Sequence, residues 1–173
     1  MVEVVKVVEV VEVYTLDYLD YLDDLDDLGG IIPALPPPMT KKSRIAIVDG
    51  SNVAHATEGG EARLANLQLM RDKLVEKGLD PVLVVDAALR HQIDDPAAYE
   101  KMVEDGELKQ APAGTDADYF ILSFARELGA RVVSNDRFRD RMPEFKDIGR
   151  RLIRYMIVEN EVVFEQRNGR RRG

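Results

Sequence analysis

The run Arg44-Ile45-Ala46-Ile47-Val48-Asp49 decides the architecture, because its four central residues are all apolar, three are β-branched, and an aspartate closes it. A strand buried on one face alternates polar and apolar residues, whereas one buried on both faces reads as an unbroken apolar run, so this stretch is expected inside a parallel sheet. The pattern then continues in strand and helix units. A helix is expected over residues 61–77, with Leu64, Leu67, Met70 and Leu74 on one face and Gly78 as its stop signal. Residues 81–85 form the second strand, ending at Asp86. Asp95-Pro96 supplies an N-cap with proline at the first helical position, and that helix ends before Gly106. Thr115 with Asp118 spells a capping box and opens a helix through Phe120, Leu122 and Leu128 to Gly129. Residues 131–134 form the next strand, ending at Asn135-Asp136, and a helix after Pro143 and a terminal hairpin over 153–158 and 162–165 close the unit. This order implies a three-layer α/β/α sandwich around a mainly parallel central sheet, in which ligands bind at the carboxyl ends of the strands.

Upstream of Arg44 the character of the chain changes. It repeats in threes, first as Val-Val-Glu/Lys and then as Leu-Asp-Tyr and Leu-Asp-Asp, a period that matches neither helix nor strand and builds no buried stripe. Gly29-Gly30, Pro33 and Pro36-Pro37-Pro38 follow as punctuation. Residues 1–43 are therefore expected to be a low-complexity acidic segment with a Pro-rich linker, residues 44–167 the domain, and residues 168–173 a basic tail.

Composition narrows the chemistry. With 173 residues, 45% of them hydrophobic, the chain is long enough for one domain with a real core and too short for two full ones. The absence of cysteine excludes disulfides, thiolate zinc sites and cysteine nucleophiles. Only His55 and His91 are available as imidazoles, and both read as loop residues, so a bound metal has to be held by oxygen, which suits Mg²⁺ or Mn²⁺. Charged residues interrupt the apolar opening, so no signal peptide or spanning segment is expected, and the chain reads as cytoplasmic.

The net charge of −8 argues against a nucleic-acid partner until its distribution is considered. Residues 1–43 hold nine acids against three bases, a net of −6, which leaves −2 for the rest. Within that rest, residues 137–154 hold seven bases against three acids, a local +4.

Asp49, Asp86 and Asp136 each stand at the end of an expected buried strand, so they emerge on one edge of the sheet; Asp116 and Asp118 open a helix whose N-terminus shares that edge. A single such aspartate is often a turn or capping residue, and Asp116 and Asp118 have that reading open to them. Five together repel one another unless a cation neutralises them. Two divalent ions ~3.5–4 Å apart at such a site activate a water and stabilise the leaving oxygen of a phosphodiester. Ser51 and Asn52, just after Asp49, stand where they can orient it or touch a phosphate. Arg137, Arg139 and Arg141 follow Asp136 directly, and Lys146, Arg150 and Arg154 recur every four residues on an expected helical face, the arrangement that holds a polyanion beside a metal.

Three motifs in order make the pattern recognisable: Ile47-Val48-Asp49-Gly50-Ser51-Asn52-Val53-Ala54, then Gly114-Thr115-Asp116-Ala117-Asp118-Tyr119-Phe120-Ile121, then Val133-Ser134-Asn135-Asp136-Arg137-Phe138-Arg139-Asp140. With the closing residues 151–155, this resembles a PIN-like (NYN) ribonuclease of the Regnase type over approximately residues 44–164. The resemblance implies a PIN-like fold, a Mg²⁺-dependent endoribonuclease acting on single-stranded or loop RNA, and an acidic centre at Asp49, Asp118 and Asp136, with Asp116 and Asp140 as further members. Two departures stand out. Ala117 separates Asp116 from Asp118 where animal relatives have adjacent acids, and the CCCH zinc finger of those relatives is absent, as a chain without cysteine requires.

Two other readings remain open on the sequence. A domain of the same fold that has lost cleavage would hold RNA or dock a partner. Phosphoryl transfer through Asp49 would normally want a second acid two residues on, where Ser51 stands. No Gly-rich phosphate loop follows the first strand, no membrane partner is indicated, and a homo-oligomer is compatible with the sequence.

Overall fold

The computed structural model describes residues 44–57, 59–112 and 114–166. The expectations for the acidic N-terminal segment and the basic tail fall outside these residues.

Strand β1 (Ile45–Asp49) is the centre of a five-stranded parallel sheet. On one side it pairs with β2 (Asp80–Val85), Ile45 opposite Asp80 and Asp49 opposite Val84; β2 in turn pairs with β3 (Leu108–Gln110). On the other side it pairs with β4 (Arg131–Val133), which pairs with β5 (Leu152–Ile153). The order is β3-β2-β1-β4-β5, so β1 is covered on both edges and both faces, as its unbroken apolar run requires.

Side chains alternate across the strand. Ala46 and Val48 enter a buried cluster with Leu64, Leu67, Met70 and Leu74 of α2 (Leu64–Glu76), whereas Ile47, also fully buried, lies outside it. Each large side chain sealed in this way stabilises the fold by roughly 1.5–3 kcal/mol. Helix α2 stops where the sequence says it should, at Gly78 with φ 73°. The short helix α1 (Gly50–Ala54) and helix α3 (Pro96–Glu104) precede and follow it. Helix α4 (Ala117–Glu127) packs on β1 and β4, burying Phe120, Ile121 and Phe124. The antiparallel hairpin β6 (Tyr155–Val158) and β7 (Glu161–Phe164) adds Tyr155 and Val162 to the cluster on α2.

Four local expectations are corrected. The third strand, β3, falls where the sequence pattern suggests only a helix–helix connection, because three residues with one buried side chain carry no periodicity. The N-cap of α4 is Asp116, whose carboxylate accepts from Tyr119 N at 3.1 Å, and Thr115 instead donates its hydroxyl to the Pro112 carbonyl at 2.6 Å. A five-residue helix, α1, follows Asp49 in place of the expected loop. The long amphipathic helix after Pro143 shrinks to α5 (Ile148–Arg151), since Leu152 and Ile153 leave it to pair with Val132 and Val133. Lys146, Arg150 and Arg154 therefore share no helical face; Arg154 sits beyond β5 and pairs with Glu165 at 3.3 Å.

Candidate active site

Asp49 closes β1 and caps α1 at once. Its Oδ1 accepts the Asn52 N–H at 3.1 Å and its Oδ2 accepts the Ser134 hydroxyl at 2.8 Å, with the residue only 8% exposed. The cap is possible because Gly50 lets α1 press onto β2: a Cβ there would stand 2.6 Å from Val85 Cγ1 and 2.9 Å from the Val84 carbonyl oxygen. Burial pushes the Asp49 carboxyl above the usual carboxylate range; its two hydrogen bonds oppose that rise, and the charges of Asp136 and Asp86 add to it.

The strand end of β4 is tied to the same point. Ser134, fully buried, donates to Asp49 and accepts the Asp136 N–H at 3.0 Å. Asn52 Oδ1 accepts both the Asn135 N–H and the Tyr155 hydroxyl, each at 2.9 Å, and Asn135 Oδ1 accepts the Tyr155 N–H at 3.1 Å. Asp136 is exposed; its Oδ1 accepts the Phe138 N–H at 2.7 Å. Phe138 holds a left-handed backbone at φ 47° with its ring buried, a conformation costing about 1–3 kcal/mol that persists only where surrounding contacts enforce it.

Asp118, half-buried in the first turn of α4, is raised first by burial and then by the charges of Asp49 and Asp136. The charge of Asp136 thus raises both Asp49 and Asp118, and that of Asp49 raises Asp118, from three separate parts of the chain. Asp86 joins them on the β2 side: its N–H donates to Ser51 Oγ at 3.1 Å and its Oδ1 accepts the Leu89 N–H at 2.9 Å.

Asp116 and Asp140 are engaged differently. Asp116 is exposed, caps α4 and forms an ion pair with Arg141, which with Phe145 fastens the 137–147 segment to α4. Phe145 meets Tyr119 edge to face at 5.6 Å and lies under the Arg126 guanidinium at 4.7 Å. Asp140 is exposed on the single turn Arg139–Arg141. Neither is among the charges that raise Asp49 and Asp118. Arg137 and Arg139 are exposed beside Asp136, and Lys146 and Arg150 are exposed further along. His55 is held between the Ser51 carbonyl at 2.8 Å and Gln92 Oε1 at 2.9 Å, away from any ligand role.

Among the described residues, no group of three or more histidine, aspartate or glutamate side chains is placed to hold a metal ion. The donor set nevertheless fits a hard divalent cation in kind. It is made of carboxylate oxygens alone, and their mutual repulsion is what such a cation relieves. Three members of the network, Ser134, Asn135 and Tyr155, are not singled out by the sequence. Ser134 and Asn135 lie between the last strand residue and Asp136, a position that could have drawn attention; Tyr155 carries no signal beyond its place in the closing residues.

A five-stranded parallel sheet flanked by helices, with carboxylates at and beyond the ends of its strands, is the architecture of a PIN-like domain. Residues 42–173 match the family described as the Zc3h12a-like Ribonuclease NYN domain, and the chain belongs to that family. The fold recurs in the crystal structure of nuclear proteinaceous RNase P 2 (PRORP2) from A. thaliana, with a TM-score of 0.59 at 23% identity over 96% of this chain and 36% of that one. A second structure, of Arabidopsis thaliana nuclear protein-only RNase P 2 (PRORP2), gives a TM-score of 0.60 at 22% identity over 96% and 37% of the two chains. At this identity the likeness is one of fold, and the chain spans little more than a third of either relative. No curated protein matches the chain.

Proposed function

We propose that the domain is a metal-dependent endoribonuclease in which Asp49, Asp118 and Asp136 hold Mg²⁺ or Mn²⁺ and the substrate is single-stranded or loop RNA. The observation that carries this reading is the electrostatic coupling of these carboxylates, two of them with their pKa raised by burial and by their neighbours' charge, at the ligand-binding edge of a ribonuclease-family fold. A bound divalent ion supplies an acidified water and charge stabilisation at the phosphodiester. The chain's own residues do the rest. Ser134 and the Asn52 N–H fix the Asp49 carboxylate; Ser51 and Asn52 line the first turn beyond β1; exposed Arg137 and Arg139 hold flanking phosphates beside Asp136, with Lys146 and Arg150 extending the positive surface. Asp116 and Asp140 shape this rim, Asp116 by fixing Arg141.

The test incubates labelled single-stranded RNA with the protein in Mg²⁺, Mn²⁺ or EDTA, comparing wild type with Asp49→Asn and Asp118→Asn. Cutting that needs the metal and is lost in both variants is expected. Metal-dependent cutting that survives Asp49→Asn removes the assigned role of that residue. Binding with no cutting in either metal favours the second reading, an RNA-holding or partner-docking module, for which the favouring observation is that no three histidine, aspartate or glutamate side chains among the described residues are placed to hold a metal ion.

A further inference from the structure

We propose that Tyr155 is a positioning residue: its hydroxyl, with the Asn135 N–H, locks the Asn52 carboxamide so that the amino group Nδ2 is left to donate to a phosphate oxygen of the RNA backbone. This rests on the ribonuclease reading above and adds a residue to it.

The orientation of an asparagine side chain is fixed by its partners, because one end only accepts and the other only donates. A backbone N–H can do nothing but donate, so the atom 2.9 Å from Asn135 N is the Asn52 oxygen. Tyr155 adds a second donor to the same oxygen at 2.9 Å. Reversing the amide would face its two N–H bonds against the Asn135 N–H, a donor against donors. The hydroxyl is also held in its donating form: burial and the charge of Asp49 push the Tyr155 phenol well above its ordinary range. Tyr155 is itself set in place through its own N–H on Asn135 Oδ1, and its ring is packed in the cluster on α2. Two residues from separate segments, Asn135 and Tyr155, thus hold one carboxamide and bond to each other.

What remains is Nδ2. No hydrogen bond joins it to an acceptor among the described residues, and Asn52 as a whole is half-buried. It lies in the turn directly beyond Asp49, at an edge where carboxylates repel an incoming phosphate. A neutral amide donor held at fixed orientation can take a phosphate oxygen there without forming an ion pair with the carboxylates, as a lysine or arginine would. Tyr155 itself touches no substrate; it acts through Asn52.

The experiment is a double-mutant cycle on the full chain with Tyr155→Phe, Asn52→Ala and the double variant. Affinity for single-stranded RNA is measured in EDTA, and kcat and KM in Mg²⁺, with thermal unfolding followed in parallel. Tyr155→Phe is expected to weaken affinity in EDTA and to lower kcat/KM by roughly three- to tenfold, the worth of one hydrogen bond. In the Asn52→Ala background the same change is expected to do nothing more. A loss of equal size in both backgrounds marks a merely structural tyrosine and overturns the inference, while wild-type cutting leaves the ribonuclease reading standing. A wild type that binds RNA without cutting in Mg²⁺ or Mn²⁺ removes the ribonuclease reading, and the binding cycle in EDTA still decides the role of Tyr155. Absence of RNA binding by the wild type in either condition overturns the inference as well.

Discussion

Ser134 and Asp49, 85 positions apart in the chain, share a 2.8 Å hydrogen bond in which a fully buried hydroxyl donates to the carboxylate Oδ2. The bond favours the charged carboxylate and so works against the burial that raises its pKa. Ser134→Ala removes it and also strips the Asp136 N–H of its acceptor. A stability loss of about 1–3 kcal/mol is expected by chemical denaturation. The acid limb of the pH–activity profile moves to higher pH, because Asp49 loses a partner that held its pKa down. An unmoved acid limb would show that Asp49 ionisation does not limit the reaction.

Asp49→Asn separates stability from activity. The folded-state pKa of Asp49 lies above its unfolded value, so the folded state holds the proton more tightly and this residue's contribution to stability declines as pH rises from below 3.8 through the folded pKa. Asparagine does not ionise. In metal-free buffer the variant is expected to melt a few degrees higher than wild type at neutral pH, with the gain vanishing below the ordinary carboxylate pKa. RNA cleavage falls further than the ~10–100-fold that loss of an outer partner costs a metal site. Equal melting temperatures at neutral pH would contradict the burial argument.

Divalent cations should act in the opposite sense on the wild type. A ligand that binds only the folded state stabilises it by ~2.7 kcal/mol at a hundred times its Kd. Thermal unfolding in rising Mn²⁺ is expected to shift upward for wild type and to stay flat for Asp118→Asn. A shift that persists in Asp118→Asn places the cation elsewhere.

Asp116 gives a sharper test of which acids matter. Asparagine caps a helix as well as aspartate does, so Asp116→Asn keeps the bond to Tyr119 N while discarding the charge opposite Arg141. Cleavage is expected to stay within about tenfold of wild type, less than loss of an outer metal partner can cost. Asp116→Ala additionally loses ~1 kcal/mol of stability with the cap. A collapse of activity in Asp116→Asn would make that carboxylate a metal ligand after all.

Arg137 and Arg139 are exposed on the segment just beyond Asp136. Replacing both by glutamine should weaken single-stranded RNA binding and reduce the slope of log affinity against log salt by ~0.7 for each phosphate that is no longer neutralised. An unchanged slope would show that these arginines face solvent only.

Much of this was legible in the residues themselves. The unbroken apolar run at 45–48 fixes β1 at the sheet centre, the spacing of Leu64, Leu67, Met70 and Leu74 fixes α2, and the Asp95-Pro96 pair fixes the start of α3. Strand-end aspartates are readable because a parallel sheet sends all its carboxyl ends the same way. What stayed hidden depends on pairing across the chain. β3 and β5 are two or three residues long and exist only through their neighbours, and the four-residue spacing of Lys146, Arg150 and Arg154 is consistent with helix until Val132 and Val133 claim Leu152 and Ile153. The hydrogen bonds of Asn52 with Asn135 and Tyr155 span 83 and 103 positions, a range over which no local pattern speaks.

The strand order has a consequence for the life of the molecule while it is being made. Asp49 and Asp136 reach each other only through the ladder between β1 and β4, with β2 and α4 laid down in between. A growing polypeptide that has left the ribosome as far as α4 already carries Asp49 and Asp118 yet lacks Ser134, Asn135, Asp136 and Tyr155. On the ribonuclease reading proposed above, the full set of site residues is therefore present only once nearly all of the domain has been translated.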